Sequence, residues 1–152
     1  FAALFRAQTR HMPGMERVRW EVPPDMPEVL ADERALHSVL FHLLDNALKY
    51  APTGLIRVSA GTEDSGGWIQ VEDEGEGIPP EDMPMIFSRF YRSRGGDSQT
   101  VYGHGLGLYI VRRLLEAMNG TIEAANRAEG GACFTFRLPL VVEEHTGEGY
   151  EL

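Results

Sequence analysis

The chain has 152 residues, 43% hydrophobic and 24% charged, the balance of one soluble globular domain with a real core. Its net charge of −9 excludes nucleic acid as a general partner, because a phosphate backbone needs a basic surface, so an anionic ligand has to be held by local donors. No apolar run approaches the ~20 residues of a membrane span, and the single cysteine, Cys133, excludes an internal disulfide and agrees with a reducing, cytoplasmic setting.

Taken in order, Phe1 to Arg10 has helical composition and stops at Pro13-Gly14. The chain opens at Phe1 without a Met, as expected of a piece of a longer protein, whose membrane topology stays open. Arg17 to Val22 alternates, with Val18, Trp20 and Val22 pointing one way, and predicts a half-buried strand closed by Pro23-Pro24. Val29 to Ala31 reads as a further short strand. Asp32 is the expected N-cap of a helix running to about Ala51, before Pro52 and Gly54. On that helix Leu36, Leu40, Leu43 and Ala47 form the core face, and His42, Asn46, Lys49 and Tyr50 share a neighbouring polar edge.

Ile56, Val58 and Ala60 mark another strand, and Trp68 to Asp73 its hairpin partner, with Ile69, Val71 and Asp73 on one face. From Gly75 to about Tyr102 the only periodic piece is a short helix-like stretch around Met85 to Tyr91, and so long a loop predicts a lid over about 79–102. Leu106 to Met118 is a strong helix ending at Asn119-Gly120. Thr121 to Ala125 and Ala132 to Leu140 are strands joined through Gly130-Gly131, and Ala132, Phe134, Phe136, Leu138 and Leu140 line one face of the second. The acidic stretch 143–152 is expected to be disordered, leaving one domain over 1–142. Strands apolar on one face with about three substantial helices predict a two-layer α/β sandwich rather than a doubly wound sheet.

Three places carry more chemistry than packing requires. Asp73 ends a strand on the face that Ile69 and Val71 mark as buried, where a lone carboxylate needs partners. A turn-initiating Asp ahead of Gly75 would look the same, but Gly75 and Gly77 together permit positive φ and leave room for a flat ligand. Gly103-His104-Gly105-Leu106-Gly107-Leu108 opens a helix and exposes free N–H groups at its positive end, either a phosphate site or a plain hinge. No strand leads directly into it, so it is not the dinucleotide fingerprint. Lys49, the only lysine among 14 basic residues, sits one turn beyond Asn46, where a solvated helix-end charge is equally ordinary. Phe87, Phe90 and Tyr91 lie among Arg89, Arg92 and Arg94, a set that also suits a small apolar cluster under a loop. His11, His37 and His145 show no zinc-ligand spacing.

Together these blocks resemble the catalytic and ATP-binding domain of two-component sensor histidine kinases, over nearly all of Phe1 to Leu140. His42-Leu43-Leu44-Asp45-Asn46-Ala47-Leu48-Lys49-Tyr50 is similar to the family's N box and Asp73-Glu74-Gly75-Glu76-Gly77-Ile78-Pro79 to its first glycine box. Ile86-Phe87-Ser88-Arg89-Phe90-Tyr91-Arg92 resembles the F box, and Gly103 to Leu108 the second glycine box. The resemblance implies a Bergerat-type fold shared with gyrase-like and chaperone-like ATPases, a mixed sheet of about five strands covered by three helices. It implies ATP and Mg2+ as ligands: Asp73 accepting from the adenine amino group, Gly75, Gly77, Ile78 and Tyr50 around the base, Asn46 on magnesium, and Lys49 on phosphate oxygens. The backbone of Gly103, His104, Gly105, Leu106 and Gly107 would cradle the phosphates, under a lid bearing Phe87, Phe90, Tyr91 and Arg92. The implied reaction moves the γ-phosphoryl to a histidine on a separate dimerisation domain, and from there to a response regulator, with a monomeric domain making no direct membrane contact.

Two features depart from the family. His11-Met12-Pro13 does not fit the acceptor pattern, so this stretch has no histidine of its own to phosphorylate. His42 stands where most members carry Asn and related ATPases carry a water-activating Glu, which leaves the role of that position open. A hydrolytic ATPase of the same fold, a serine kinase that regulates transcription factors and a module that has lost nucleotide are the other readings. The missing carboxylate at His42 counts against the first, the F box and lid against the second, and the full set of Asn46, Asp73 and glycines against the third.

Overall fold

The computed structural model of the chain describes residues 1–64, 66–89 and 107–141. Helix α1 (Ala2–Thr9) leads through Gly14, at φ +92°, and a 3-10 turn (Met15–Arg17) into strand β1 (Val18–Glu21). The long helix α2 (Glu33–Tyr50) then crosses to β2 (Ile56–Glu63), which lies parallel to β1 as a helical crossover allows. β3 (Gly66–Glu72) returns antiparallel as a hairpin, helix α3 (Gly107–Ala117) follows in the chain, and β4 (Thr121–Asn126) and β5 (Ala132–Pro139) form a second hairpin. β5 inserts beside β3, so the mixed sheet runs β1-β2-β3-β5-β4.

Alternation in the strands decides the layers. Ile56, Val58 and Ala60 of β2, Ile69 and Val71 of β3, and Ala132, Phe134, Phe136 and Leu138 of β5 are buried. Over them pack Phe5 of α1, Leu36, Val39, Leu40, Leu43, Leu44 and Ala47 of α2, and Leu108, Val111 and Leu115 of α3, in one continuous core. The result is the expected two-layer sandwich. Asp32 caps α2 as its position predicts, its Oδ2 accepting from the Ala35 N–H at 2.9 Å.

Several expectations need correction. β1 ends at Glu21, because the prolines at 23 and 24 supply no ladder N–H, and Val22 is left exposed. Val29 makes a single antiparallel bridge to Leu140 instead of a strand, held by Leu30 N–H to Pro139 O at 2.7 Å and Val141 N–H to Glu28 O at 2.8 Å. The helix-like stretch around Met85 to Tyr91 is a 3-10 turn (Met83–Met85) and further turns up to Arg89, while 90 and 91 lie outside the described residues. Its bonds reach three residues back, Met85 N–H to Asp82 O and Ser88 N–H to Met85 O, and Pro84 at the start of the turn has no N–H to donate.

Candidate functional site

The polar edge of α2 meets the glycine segment after β3 at Gly75 and the start of α3 at Gly107. Asn46 is 8% exposed, and among the described residues nothing hydrogen-bonds to its side-chain amide. One turn earlier, the His42 Nδ1 lies 3.7 Å from where a Cβ on Gly107 would sit, which puts the imidazole against the start of α3. Burial lowers the His42 pKa and Lys49 adds to this, against the opposing pull of Asp45. Lys49 itself is half exposed and turned back along the helix, its Nζ 2.9 Å from Asp45 Oδ2. That pair has its acid N-terminal to its base, the favourable order for an i, i+4 bridge.

At the C-terminal end of α2, the carbonyl of Tyr50 would be 2.6 Å from a Cβ on Gly75. Gly75 is thus required by the close approach of two backbones; of the two glycines that permit positive φ, Gly77 adopts it, at φ +83°. The adjacent Glu74 Oε1 accepts from Leu55 N–H at 2.7 Å, tying the turn after α2 to the same segment. Arg17 holds the turn from the other side, donating to Ala51 O at 2.7 Å and Gly54 O at 3.0 Å.

Asp73 is 3% exposed. Its Oδ1 accepts from Gly75 N–H at 2.9 Å and Ala132 N–H at 3.2 Å, and its own main chain donates to Ala132 O at 3.0 Å. These bonds make a buried carboxylate tolerable, and they leave Oδ2 without a partner among the described residues. Ile78, also buried, follows in the same segment. Beyond it, the described part of the 79–102 stretch is pinned to the core by buried Ile86, while Phe87 meets Phe134 edge to face at 6.2 Å. Phe90, Tyr91, Arg92, Gly103, His104, Gly105 and Leu106 lie outside the described residues.

Residues 31–142 match a family of histidine kinase-, DNA gyrase B- and HSP90-like ATPases. The chain belongs to that family. The chain is 38% identical over 128 residues to the adaptive-response sensory kinase SasA of Synechococcus sp. (strain CC9311), covering 81% of the chain and 32% of the relative. It is 35% identical over 143 residues to the sensor-like histidine kinase SenX3 of Mycobacterium tuberculosis, covering 91% and 35%. It thus spans about a third of the length of these curated relatives. Among solved structures, full-length ShkA in complex with AMPPNP aligns with a TM-score of 0.74 at 32% identity, over 91% of this chain and 29% of that one. The mycobacterial sensor histidine kinase MprB aligns with a TM-score of 0.71 at 26% identity, over 91% and 90%. The Bergerat-type sandwich expected from the four boxes is therefore the fold of this chain.

The segment after β3 is also held by residues that the sequence alone does not single out. Asn126 Oδ1 accepts from Ile78 N–H at 2.7 Å, its Nδ2 donates to Ile78 O at 2.8 Å, and Arg127 Nη1 donates to Asp73 O at 3.0 Å. These contacts span 48 to 54 residues, and no local pattern announces them. A groove of ≈ 730 Å³ between α1, the 22–31 loop and α2, lined by Trp20, Met26, Val29 and Leu36 among others, includes none of the expected site residues. No helix among the described residues is long and apolar enough to cross a membrane.

Proposed function

We propose that this domain binds Mg-ATP and acts as the catalytic part of a sensor histidine kinase, passing the γ-phosphoryl to a histidine on a separate dimerisation domain that in turn serves a response regulator. The observation that carries the reading is Asp73. A carboxylate buried beneath a glycine segment, with one oxygen anchored by two N–H groups and the other unengaged by the described residues, is an acceptor set for a single donor. The exocyclic amino group of adenine is such a donor. Gly75, Gly77, Ile78 and Tyr50, which share the end of α2 and the segment after β3, would border the base.

The phosphates then fall toward the middle of α2. The buried Asn46 amide, free of hydrogen bonds to described residues, offers an oxygen to a hard cation. No cluster of three His, Cys, Asp or Glu side chains able to hold a metal occurs among the described residues, which fits an ion that arrives with the nucleotide's own oxygens. Magnesium, when bound, supplies neutralisation of phosphate charge. Lys49 would exchange Asp45 for phosphate oxygens, and the backbone of Gly103 to Gly107, with His104 and Leu106, would cradle the chain end as a helix N-terminus does. Phe87, Phe90, Tyr91 and Arg92 would belong to the lid, anchored through the Phe87–Phe134 contact. Phosphoryl transfer asks mainly for positioning and electrostatics, which this arrangement provides without a nucleophile of its own.

Mg-ATP is titrated into the chain by calorimetry, then labelled ATP is mixed with the chain and a histidine-bearing dimerisation domain in trans. Binding followed by a phosphohistidine on the added domain is the expected result, with the isolated domain monomeric. Rapid phosphate release without an acceptor would instead make it a hydrolytic ATPase, and no heat at millimolar ligand would make it an interaction module.

A further inference from the structure

The segment carrying Asp73 and Ile78 is held from the side by one rung of the β4–β5 hairpin. Ala132 on that rung supplies an N–H to the Asp73 carboxylate and a carbonyl to the Asp73 N–H, and its partner across the hairpin is Asn126. The Asn126 amide bonds both the N–H and the carbonyl of Ile78, as a neighbouring strand would, although Ile78 belongs to no strand. Between the two anchor points, Gly77 has φ +83°, and a Cβ there would lie 2.7 Å from Asn126 Oδ1, so the amide can come this close only to glycine. Arg127 adds a third hold, bonding Asp73 O and Gly130 O while its Nε lies 3.4 Å from Glu72.

We infer that Asn126 is a positioning residue that sets which base the site accepts. The inference rests on the reading of Asp73 as the acceptor for an amino group. Asn126 is exposed and lies outside the apolar core, so its two long-range bonds do not serve packing. They fix the path of residues 73–78, and with it where the Asp73 carboxylate and Ile78 stand relative to each other. A fixed buried acceptor rewards a base that presents a donor and penalises one that presents a carbonyl, because two acceptors then face each other without water. Once the segment can shift, the carboxylate can move off the carbonyl and that penalty fades.

The test compares ATP with inosine triphosphate, whose base carries a carbonyl in place of the amino group, both with magnesium. Affinities are measured by calorimetry for the wild-type chain, Asn126→Ala, Asp73→Asn and the double variant. The wild type should prefer ATP, and Asn126→Ala should lose about tenfold in ATP affinity, the scale of one charge-assisted hydrogen bond weakened, with inosine triphosphate changed less than about twofold. On the Asp73→Asn background, Asn126→Ala should change nothing further. An equal fall for both nucleotides, or an unchanged ratio, would overturn the inference and leave Asn126 a purely structural clamp. Should circular dichroism show that Asn126→Ala does not fold, Asn126→Asp, which keeps the side-chain shape and the acceptor for Ile78 N–H but turns a charged carboxylate oxygen on Ile78 O in place of the donor, must relax the ratio in the same direction; an unchanged ratio there overturns the inference too. A wild-type chain that binds neither nucleotide, or does not prefer ATP, overturns the reading of Asp73 itself and this inference with it.

Discussion

On the proposed reading Asp73 carries two duties on different oxygens, and a pair of substitutions separates them. In Asp73→Ala the N–H groups of Gly75 and Ala132 lose their acceptor, and each stranded donor costs about 1–3 kcal/mol. Because the Gly75 bond is only part-buried, the sum should be about 2–4 kcal/mol, a large share of the ~5–15 kcal/mol that holds an ordinary domain together. Asp73→Asn keeps an oxygen for both N–H groups, and those groups dictate that the new NH2 takes the place of Oδ2. A donor then faces the adenine amino donor, and losing a hydrogen bond to a charged group, worth about 1.5–3 kcal/mol, lowers ATP affinity about 10- to 150-fold. Urea denaturation and ATP calorimetry on both variants read the two effects apart. An Asp73→Asn chain with wild-type ATP affinity would refute the assignment of Oδ2, and an Asp73→Ala chain as stable as the wild type would refute the structural role of Oδ1.

Four further outcomes are expected. Asp32→Ala removes the α2 cap and should lower unfolding stability by about 1 kcal/mol without touching nucleotide affinity, as paired melts and titrations would show. Gly75→Ala drives a methyl into the Tyr50 carbonyl, backbone against backbone, so the 73–78 segment must shift; ATP affinity should fall by more than stability does, and an unchanged affinity would argue against that segment as part of the site. Gly131→Ala combines a left-handed φ of +98° with a Cβ placed against the Asp73 carbonyl and should destabilise the chain by about 1–3 kcal/mol or more in urea. His42 has a lowered folded-state pKa, so below its ordinary value of 6.5 the unfolded chain binds more protons than the folded one. Its contribution is complete above that value and is lost as pH falls toward the folded pKa; His42→Gln should flatten this part of the stability–pH profile, and an identical slope in the variant would remove His42 as its source.

The local chemistry of the chain already contained most of the elements, and it singled out the candidate site residues Asp73 and Asn46. Alternation in Ile56-Arg57-Val58, Trp68-Ile69-Gln70-Val71 and Phe134-Thr135-Phe136 is enough to place strands, and the spacing of Leu36, Leu40, Leu43 and Ala47 with an Asp32 cap is enough to place α2, because these signals reside within a few residues. They also put Asp73 on a buried face and Asn46 on a polar edge before any contact was known. Local pattern fails where a distant element decides. The inside position of Val22 gave way to Pro23-Pro24, and residues 29–31 form a single bridge, Val29 to Leu140, just past the end of β5. Whether Gly75 answers to φ or to the carbonyl of Tyr50 is a question of how α2 meets β3, and only the folded chain answers it. The same holds for the two oxygens of Asp73: a buried carboxylate could be read from the strand, but which oxygen is anchored depended on Ala132, and the frame around it on Asn126, 48 to 59 residues further along the chain. Burial and periodicity are short-range properties of a sequence, whereas the partners of a buried polar group are chosen by the topology of the sheet, and that choice belongs to the tertiary structure alone.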